Sequence, residues 1–223
     1  MIEFKNVTKV YRTPRGQPKT IIEDTSIIFP SNTSIGLLGR NGAGKSTLLQ
    51  MIGGGIKQDY GTIERTGTVS WTVGFAGSFN REMTGAQNTR FIARVYGVDT
   101  DELLHYVKDF SELGSYFYSP VRSYSAGMRS RLAFGVSIGI PFDTYLVDEV
   151  TSVGDAGFKL KSRIAFMDRM KSAGAIVVTH STLQLRKLCK AGAVLENGQL
   201  TYFDDVEDAI RQHQINMGSD EDE

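Results

Sequence analysis

Residues Gly39-Arg40-Asn41-Gly42-Ala43-Gly44-Lys45-Ser46 satisfy the pattern G-x-x-x-x-G-K-[ST]. Glycines at these spacings let successive backbone N–H groups turn inward around phosphate oxygens, at a helix N-terminus whose dipole favours anions. In that arrangement Lys45 reaches the β- and γ-phosphates of a nucleotide, Ser46 holds Mg²⁺, and Thr47 follows on the same turn. A chance match on a Gly-rich turn would lack the flanking elements. Here an apolar run, Ser34–Leu38, precedes the loop, and the helix-patterned segment Lys45–Ile52 follows it. Further along, Tyr145-Leu146-Val147-Asp148-Glu149 reads as a buried strand ending in two carboxylates. Asp148 is placed to complete the Mg²⁺ shell and Glu149 to polarise an attacking water. A strand ending in solvated acids is ordinary by itself; beside a phosphate loop it reads as a site that hydrolyses ATP.

A second helix start suited to an anion lies between these two motifs. Tyr124-Ser125-Ala126-Gly127-Met128 has its serine 23 residues before Asp148 and opens the next helix. Ser125 is a natural N-cap whatever else it does, and the N–H groups around Gly127 add an anion-binding helix end. The segment resembles the signature of ABC ATPases, with Tyr for the usual Leu, Ala for the first Gly and Met for the usual Gln. Three further positions agree with that family. His180 stands 31 residues after Glu149, just past an apolar run, where ABC ATPases carry a histidine that contacts the γ-phosphate. Asp155, in Val153-Gly154-Asp155, matches the aspartate that reaches across the family's dimer, and it would also N-cap the following helix. Tyr11 ends the first strand where the family places an aromatic against adenine; a plain core tyrosine is the alternative.

The resemblance implies a RecA-like P-loop α/β core, a small antiparallel β-subdomain and an inserted helical subdomain. It also implies a head-to-tail homodimer with two ATPs sandwiched at the interface. Each site would join the phosphate loop of one copy to the Ser125 segment of the other. Within the family, the chain is most similar to the ATPases of capsular polysaccharide exporters. The residues that carry this are Tyr11-Arg12-Thr13-Pro14, the phosphate loop with Thr47-Leu48, Ser70-Trp71, Gly77-Ser78-Phe79 with Thr84-Gly85, Ser125 to Leu132, and Val147 to Thr151 with Val153-Gly154-Asp155. The implied partner is a polytopic membrane subunit, at the cytoplasmic face of a bacterial inner membrane. Exporters of O-antigen or teichoic acid are the alternative within the family. Related O-antigen ATPases often carry an added carbohydrate-binding domain, and none is expected here. A soluble ABC ATPase acting on DNA or ribosomes usually fuses two cassettes or splits one with a coiled coil, and neither pattern is present. One departure concerns the glutamine that most ABC ATPases place between the two nucleotide motifs. Thr72–Glu82 contains none, and Gln87 falls inside the following helix. Ser78 and Asn80 are the candidates to replace it.

The elements that must position these residues follow from the hydrophobic pattern. Ile2–Tyr11 and Thr20–Phe29 read as strands joined by the Pro/Gly-bearing loop Arg12–Lys19, and Gly61–Val73 alternates like edge strands. From about 85 to 140 the period turns helical. Leu103, Val107, Phe110 and Leu113 share one face, and Asp99 with Glu102 resembles a capping box. Thr144–Val147, Ala175–Thr179 and Ala193–Leu195 are apolar runs spaced by helix-length segments, as parallel βα units require. Residues 1–216 read as one domain and 217–223 as an acidic, disordered tail. The segment Phe75–Gly85 places two phenylalanines and Met83 in a polar, glycine-bearing loop, which reads as a partner surface.

Bulk composition narrows the partners. The chain has 223 residues, with 25 Lys+Arg against 25 Asp+Glu, so no basic surplus points to nucleic acid. The single cysteine, Cys189, has no intrachain disulfide partner and reads as a packing residue in a reducing compartment. The first residues, Met1-Ile2-Glu3-Phe4-Lys5, lack the apolar stretch of a signal peptide. The longest apolar stretch, Leu132–Ile140, spans nine residues against the ~20 a membrane-crossing helix needs. Membrane contact is therefore expected only through the partner.

Overall fold

The computed structural model describes residues 1–12, 16–74, 77, 79–148 and 155–218. They fall into two compact units, one formed by 1–72, 142–149 and 172–223, the other by 73–141 and 150–171.

The first unit holds two sheets. Strand β1 (Ile2–Arg12) runs antiparallel between β2 (Pro18–Phe29) and β4 (Tyr60–Arg65). Ile2, Phe4, Val7, Ile22, Phe29 and Ile63 lie in the core, the alternation of β1 being broken by irregular pairing with β2 between Phe4 and Val7, and Phe4 meets Phe29 edge-on at 5.5 Å. The second sheet has the order β5-β6-β7-β3-β8-β9, built from Val69–Thr72, Thr144–Asp148, Gly174–Val178, Ser34–Leu38, Ala191–Glu196 and Gln199–Phe203. Its first five strands are parallel and β9 is antiparallel. The inner strands β3, β6, β7 and β8 are almost wholly apolar because they are covered on both faces. Helices α1 (Lys45–Ile52), α6 (Thr182–Leu188) and α7 (Val206–Gly218) complete this unit. The segment that alternates over Gly61–Val73 thus supplies two edge strands, β4 and β5, in two different sheets.

Strand β9 and helix α7 lie beyond the last element read from sequence. The β8–β9 turn is Asn197-Gly198, with φ of 46° and 79°, the pair that a tight hairpin turn favours. Helix α7 reaches Gly218, so it takes in 217 and 218; residues 219–223 lie outside the described residues.

The second unit is helical. Helix α2 (Gly85–Tyr96) starts at a capping box in which Thr84 and Gln87 satisfy each other's backbone N–H groups. Gln87 is thereby committed to a helix start, as its position implies. Helix α3 (Thr100–Ser111) is capped by Asp99, which accepts from the N–H groups of Asp101 and Glu102. The reciprocal Glu102 bond expected of a full box is not among the described bonds. Leu103, Val107, Phe110 and Leu113 are all buried, Leu113 from just past the helix end. Helix α4 (Ala126–Gly139) packs on α3, and its small residues are what allow the approach. A Cβ on Gly139 would come within 2.5 Å of Leu103 Cδ1, and one on Gly135 within 3.3 Å of the Phe110 ring. Helix α5 (Ala156–Arg169) adds Phe158 and Phe166 to the same core. Among the described residues no helix is long and apolar enough to cross a membrane.

The expectation that Phe79 belongs to an exposed partner surface is overturned. Phe79 is buried and Met83 half-buried, because the segment is pinned from below. Asn88 accepts from the Asn80 N–H at 2.9 Å and donates back to the Asn80 carbonyl at 3.0 Å, turning the loop onto α2. Phe75, Ala76 and Ser78 lie outside the described residues.

Candidate functional site: a phosphate loop at the strand ends

Three neighbouring strands, β6, β7 and β3, bring their C-terminal ends to one edge of the parallel sheet. Ligands of open α/β sheets bind at this edge, where loops and helix N-termini converge. The loop Gly39–Gly44 leaves β3 there and enters α1. Its glycines have φ of +153° at Gly39, +81° at Gly42 and +112° at Gly44, values that side-chain-bearing residues rarely adopt. Two of them are also packed too closely to carry a side chain. A Cβ on Gly39 would collide with the Leu195 carbonyl of β8, and one on Gly44 would sit 2.5 Å from Ile21 Cγ2 of β2. Asn41 and Gly42 are exposed, and Ala43 is partly buried.

Helix α1 has no side-chain N-cap and no acidic residue in its first turn. A helix start of this kind, with the positive end of its dipole and no carboxylate beside it, suits an anion. Thr47 lies half-buried in this turn. Lys45 Nζ donates to the carbonyls of Gly39 at 2.6 Å and Arg40 at 2.9 Å, so its charge stands over the loop's own backbone. Ser46 Oγ donates to Asp148 Oδ2 at 2.8 Å, across 102 positions of sequence. That contact assembles a hydroxyl and a carboxylate at the strand edge, the hard oxygen donors that Mg²⁺ prefers.

The remaining candidates divide between the two units. Glu149, one residue past β6, lies outside the described residues. In the first unit, His180 is exposed two residues beyond Val178, the strand partner of Asp148. Tyr11 is exposed rather than a core tyrosine, and Lys9 Nζ stands 5.2 Å from its ring centroid. Its strand partner is Lys19, whose Nζ lies 3.6 Å from the point where a Gly42 Cβ would be. The β2 start thus leans over the phosphate loop. Lys19 was not singled out from sequence; its only signal is a cation paired across a hairpin from an aromatic residue.

In the second unit Ser125 caps α4, accepting from the Met128 N–H at 3.2 Å, and Ser125, Ala126 and Gly127 are exposed. Tyr124 fills the place of an apolar residue. It is buried, its hydroxyl donates to the Tyr116 carbonyl at 2.6 Å, and burial pushes its phenol above the ordinary value. Asp155 caps α5 through the Phe158 N–H at 3.0 Å and pairs with Arg131 at 2.6 Å. The Phe158 N–H first, then the Arg131 charge, hold its carboxyl below the usual range. Cys189 is buried and its thiol is pushed up to about 12, as befits a packing residue.

Comparison with known proteins agrees with this geometry. The family model described as ABC transporter matches residues 22–152. The polysialic acid transport ATP-binding protein KpsT of Escherichia coli is 44% identical over 218 residues, covering 96% of this chain and 97% of that protein. The capsule polysaccharide export ATP-binding protein CtrD of Neisseria meningitidis serogroup B is 42% identical, covering 96% and 98%. Among solved structures, the dimeric post-hydrolysis state of the ATP-binding cassette MJ0796 superposes with a TM-score of 0.73 over 91% of this chain and 98% of that one, at 17% identity, a likeness of fold. By its phosphate loop, its strand-end carboxylate and these full-length relatives, the chain belongs to the ABC transporter family.

Proposed function

We propose that the protein binds and hydrolyses ATP as the nucleotide-binding subunit of an exporter of capsular polysaccharide. The observation that carries the nucleotide reading is the 2.8 Å contact between Ser46 and Asp148 beneath a loop of three positive-φ glycines. The loop N–H groups and the α1 N-terminus hold the phosphates, with Lys45 leaving the Gly39 and Arg40 carbonyls to reach the β- and γ-oxygens. Arg40, Asn41, Gly42, Ala43, Gly44 and Thr47 shape this cradle, and the exposed Tyr11 ring offers its face to the base. Ser46 and Asp148 would hold Mg²⁺, which would offset the charge of the phosphates when bound. Glu149 orients and polarises the water, and His180 contacts the terminal phosphate from the neighbouring strand end.

Ser125, Gly127 and Asp155 complete the site of a second copy in a head-to-tail homodimer. Support comes from the exposed N-terminus of α4, capped by Ser125 and open to solvent. The export reading is supported by relatives 42–44% identical over nearly their whole length, which are named as a polysialic acid transport ATP-binding protein and a capsule polysaccharide export ATP-binding protein. A polytopic membrane subunit is then the partner, and the protein works at the cytoplasmic face of the inner membrane.

The test replaces the chromosomal copy by Glu149→Gln. The variant should still bind ATP while hydrolysis falls by roughly 10²–10⁴-fold, the usual size of a general-base loss. Polysaccharide should then accumulate inside the cell and vanish from its surface. Normal surface capsule with a hydrolysis-dead protein would refute the export role.

A further inference from the structure

Helix α7 ends against the back of the phosphate loop, and the contacts there are charged. Arg40, the second residue of the loop, places its Nε 3.3 Å from Glu196 Oε1, at the end of β8. Its Nη2 donates to the Asn216 carbonyl in the last turn of α7. The last turn of a helix carries the negative end of its dipole, so a guanidinium is well placed there. His213, one turn earlier, lies within the electrostatic reach of Glu196, Arg40 and Lys45. The side chains of Arg40 and Glu196 are largely withdrawn from solvent, at 32% and 20% exposure.

Two features say that this cluster does more than fasten a helix. Glu196 Oε2 and His213 Nδ1 are buried with no hydrogen-bond partner among the described residues. Buried polar atoms without partners weaken a fold, and apolar residues would hold α7 in place as well or better. The second feature is the backbone of Arg40. Its carbonyl is one of the two that receive Lys45 Nζ, so the side chain that α7 grips and the carbonyl that holds the phosphate-binding lysine belong to one residue. The neighbouring Gly39 is simultaneously wedged against the Leu195 carbonyl, next to Glu196.

We propose that α7 and Glu196 form a clamp that fixes Arg40 and with it the first turn of the phosphate loop, making Glu196 and His213 positioning residues for ATP. The clamp rests on the reading of this loop as the ATP site. Because it acts on the loop and not on the reacting atoms, its loss weakens binding and spares turnover at saturation.

The experiment measures Kd for ATP, KM and kcat of the full chain carrying Glu196→Gln, His213→Gln or Arg40→Gln, and of the Arg40→Gln/Glu196→Gln double variant, with thermal melts of each. Glu196→Gln is expected to raise Kd and KM about tenfold, as loss of a charge-assisted contact does, with kcat changed less than about twofold. On the Arg40→Gln background the same change should add almost nothing, because its partner is already gone. His213→Gln gives a second variant of the same helix face should Glu196→Gln fold poorly, and the same split of KM from kcat is expected of it. Unchanged Kd and KM with a lowered melting temperature would reduce the cluster to a structural staple and overturn the proposal. So would full additivity of Arg40→Gln and Glu196→Gln. A wild-type chain that binds no ATP would instead remove the reading on which the clamp depends, a result distinct from either.

Discussion

Gly39 shows how much of the site rests on single backbone positions. At φ +153° and against the Leu195 carbonyl, it has neither the dihedral freedom nor the space for a Cβ. Gly42, at φ +81°, is strained for an L-residue, but among the described residues the one atom that a Cβ there would approach is the Lys19 ammonium, at 3.6 Å and on a flexible stem. Gly39→Ala is therefore expected to lose more stability than Gly42→Ala. Strain at one such position costs about 1–3 kcal/mol, and the backbone collision at Gly39 adds to it. Urea denaturation of the two variants measures the difference; equal losses would contradict the packing argument. The pattern G-x-x-x-x-G-K-[ST] made these glycines legible in the sequence, because their chemistry is local. Ser46 and Asp148 were legible too, though not their 2.8 Å contact, which depends on β3 and β6 flanking β7. Glu196 and His213 were not legible at all. A lone glutamate at the end of an apolar strand and a lone histidine in a polar segment announce nothing until the fold brings them near Arg40.

At the scale of elements, local signals placed most boundaries. The strand before the phosphate loop, the helix after it, the helix start at Gly85 and the end of α4 at Gly139 all carry caps, glycines or a following proline. Strand β9 and helix α7 went unread although Asn197-Gly198 is a strong hairpin signal; β9 has five residues, and Leu200 is its one buried side chain. The loop bearing Phe79 misled for the opposite reason. Its composition is that of a surface, but the Asn80–Asn88 pair satisfies its backbone and leaves Phe79 free to turn inward.

Helix α7 also carries a pH dependence. Burial first, then the charges of Lys45 and Arg40, push His213 below the ordinary histidine value of 6.5, against the opposing pull of Glu196. A native state that resists protonation loses stability relative to the unfolded chain as pH falls from 6.5 through the native value, and is unaffected by this group above 6.5. His213→Gln is therefore expected to lose less melting temperature than wild type between about pH 7 and about pH 5. Parallel losses in the two proteins would show that His213 does not titrate in this way.

For the whole molecule, the phosphate loop, Asp148 and His180 lie in one unit, while the Ser125 helix start and Asp155 lie in the other. The expectation that a site is shared between two copies came from family resemblance, since neither spacing nor periodicity encodes which copy a helix end serves. It is also the point where the account stands or falls. If each ATP is held by the phosphate loop of one copy and the Ser125 helix of the other, a Lys45→Ala chain joined with a Ser125→Arg chain makes one doubly damaged site and one intact site. The decisive measurement is ATP hydrolysis by that heterodimer, purified through a different tag on each chain and compared with the three homodimers. The account predicts that both mutant homodimers are inactive and that the heterodimer recovers roughly half of the wild-type rate. A heterodimer no more active than the mutant homodimers, beside an active wild type, would contradict it.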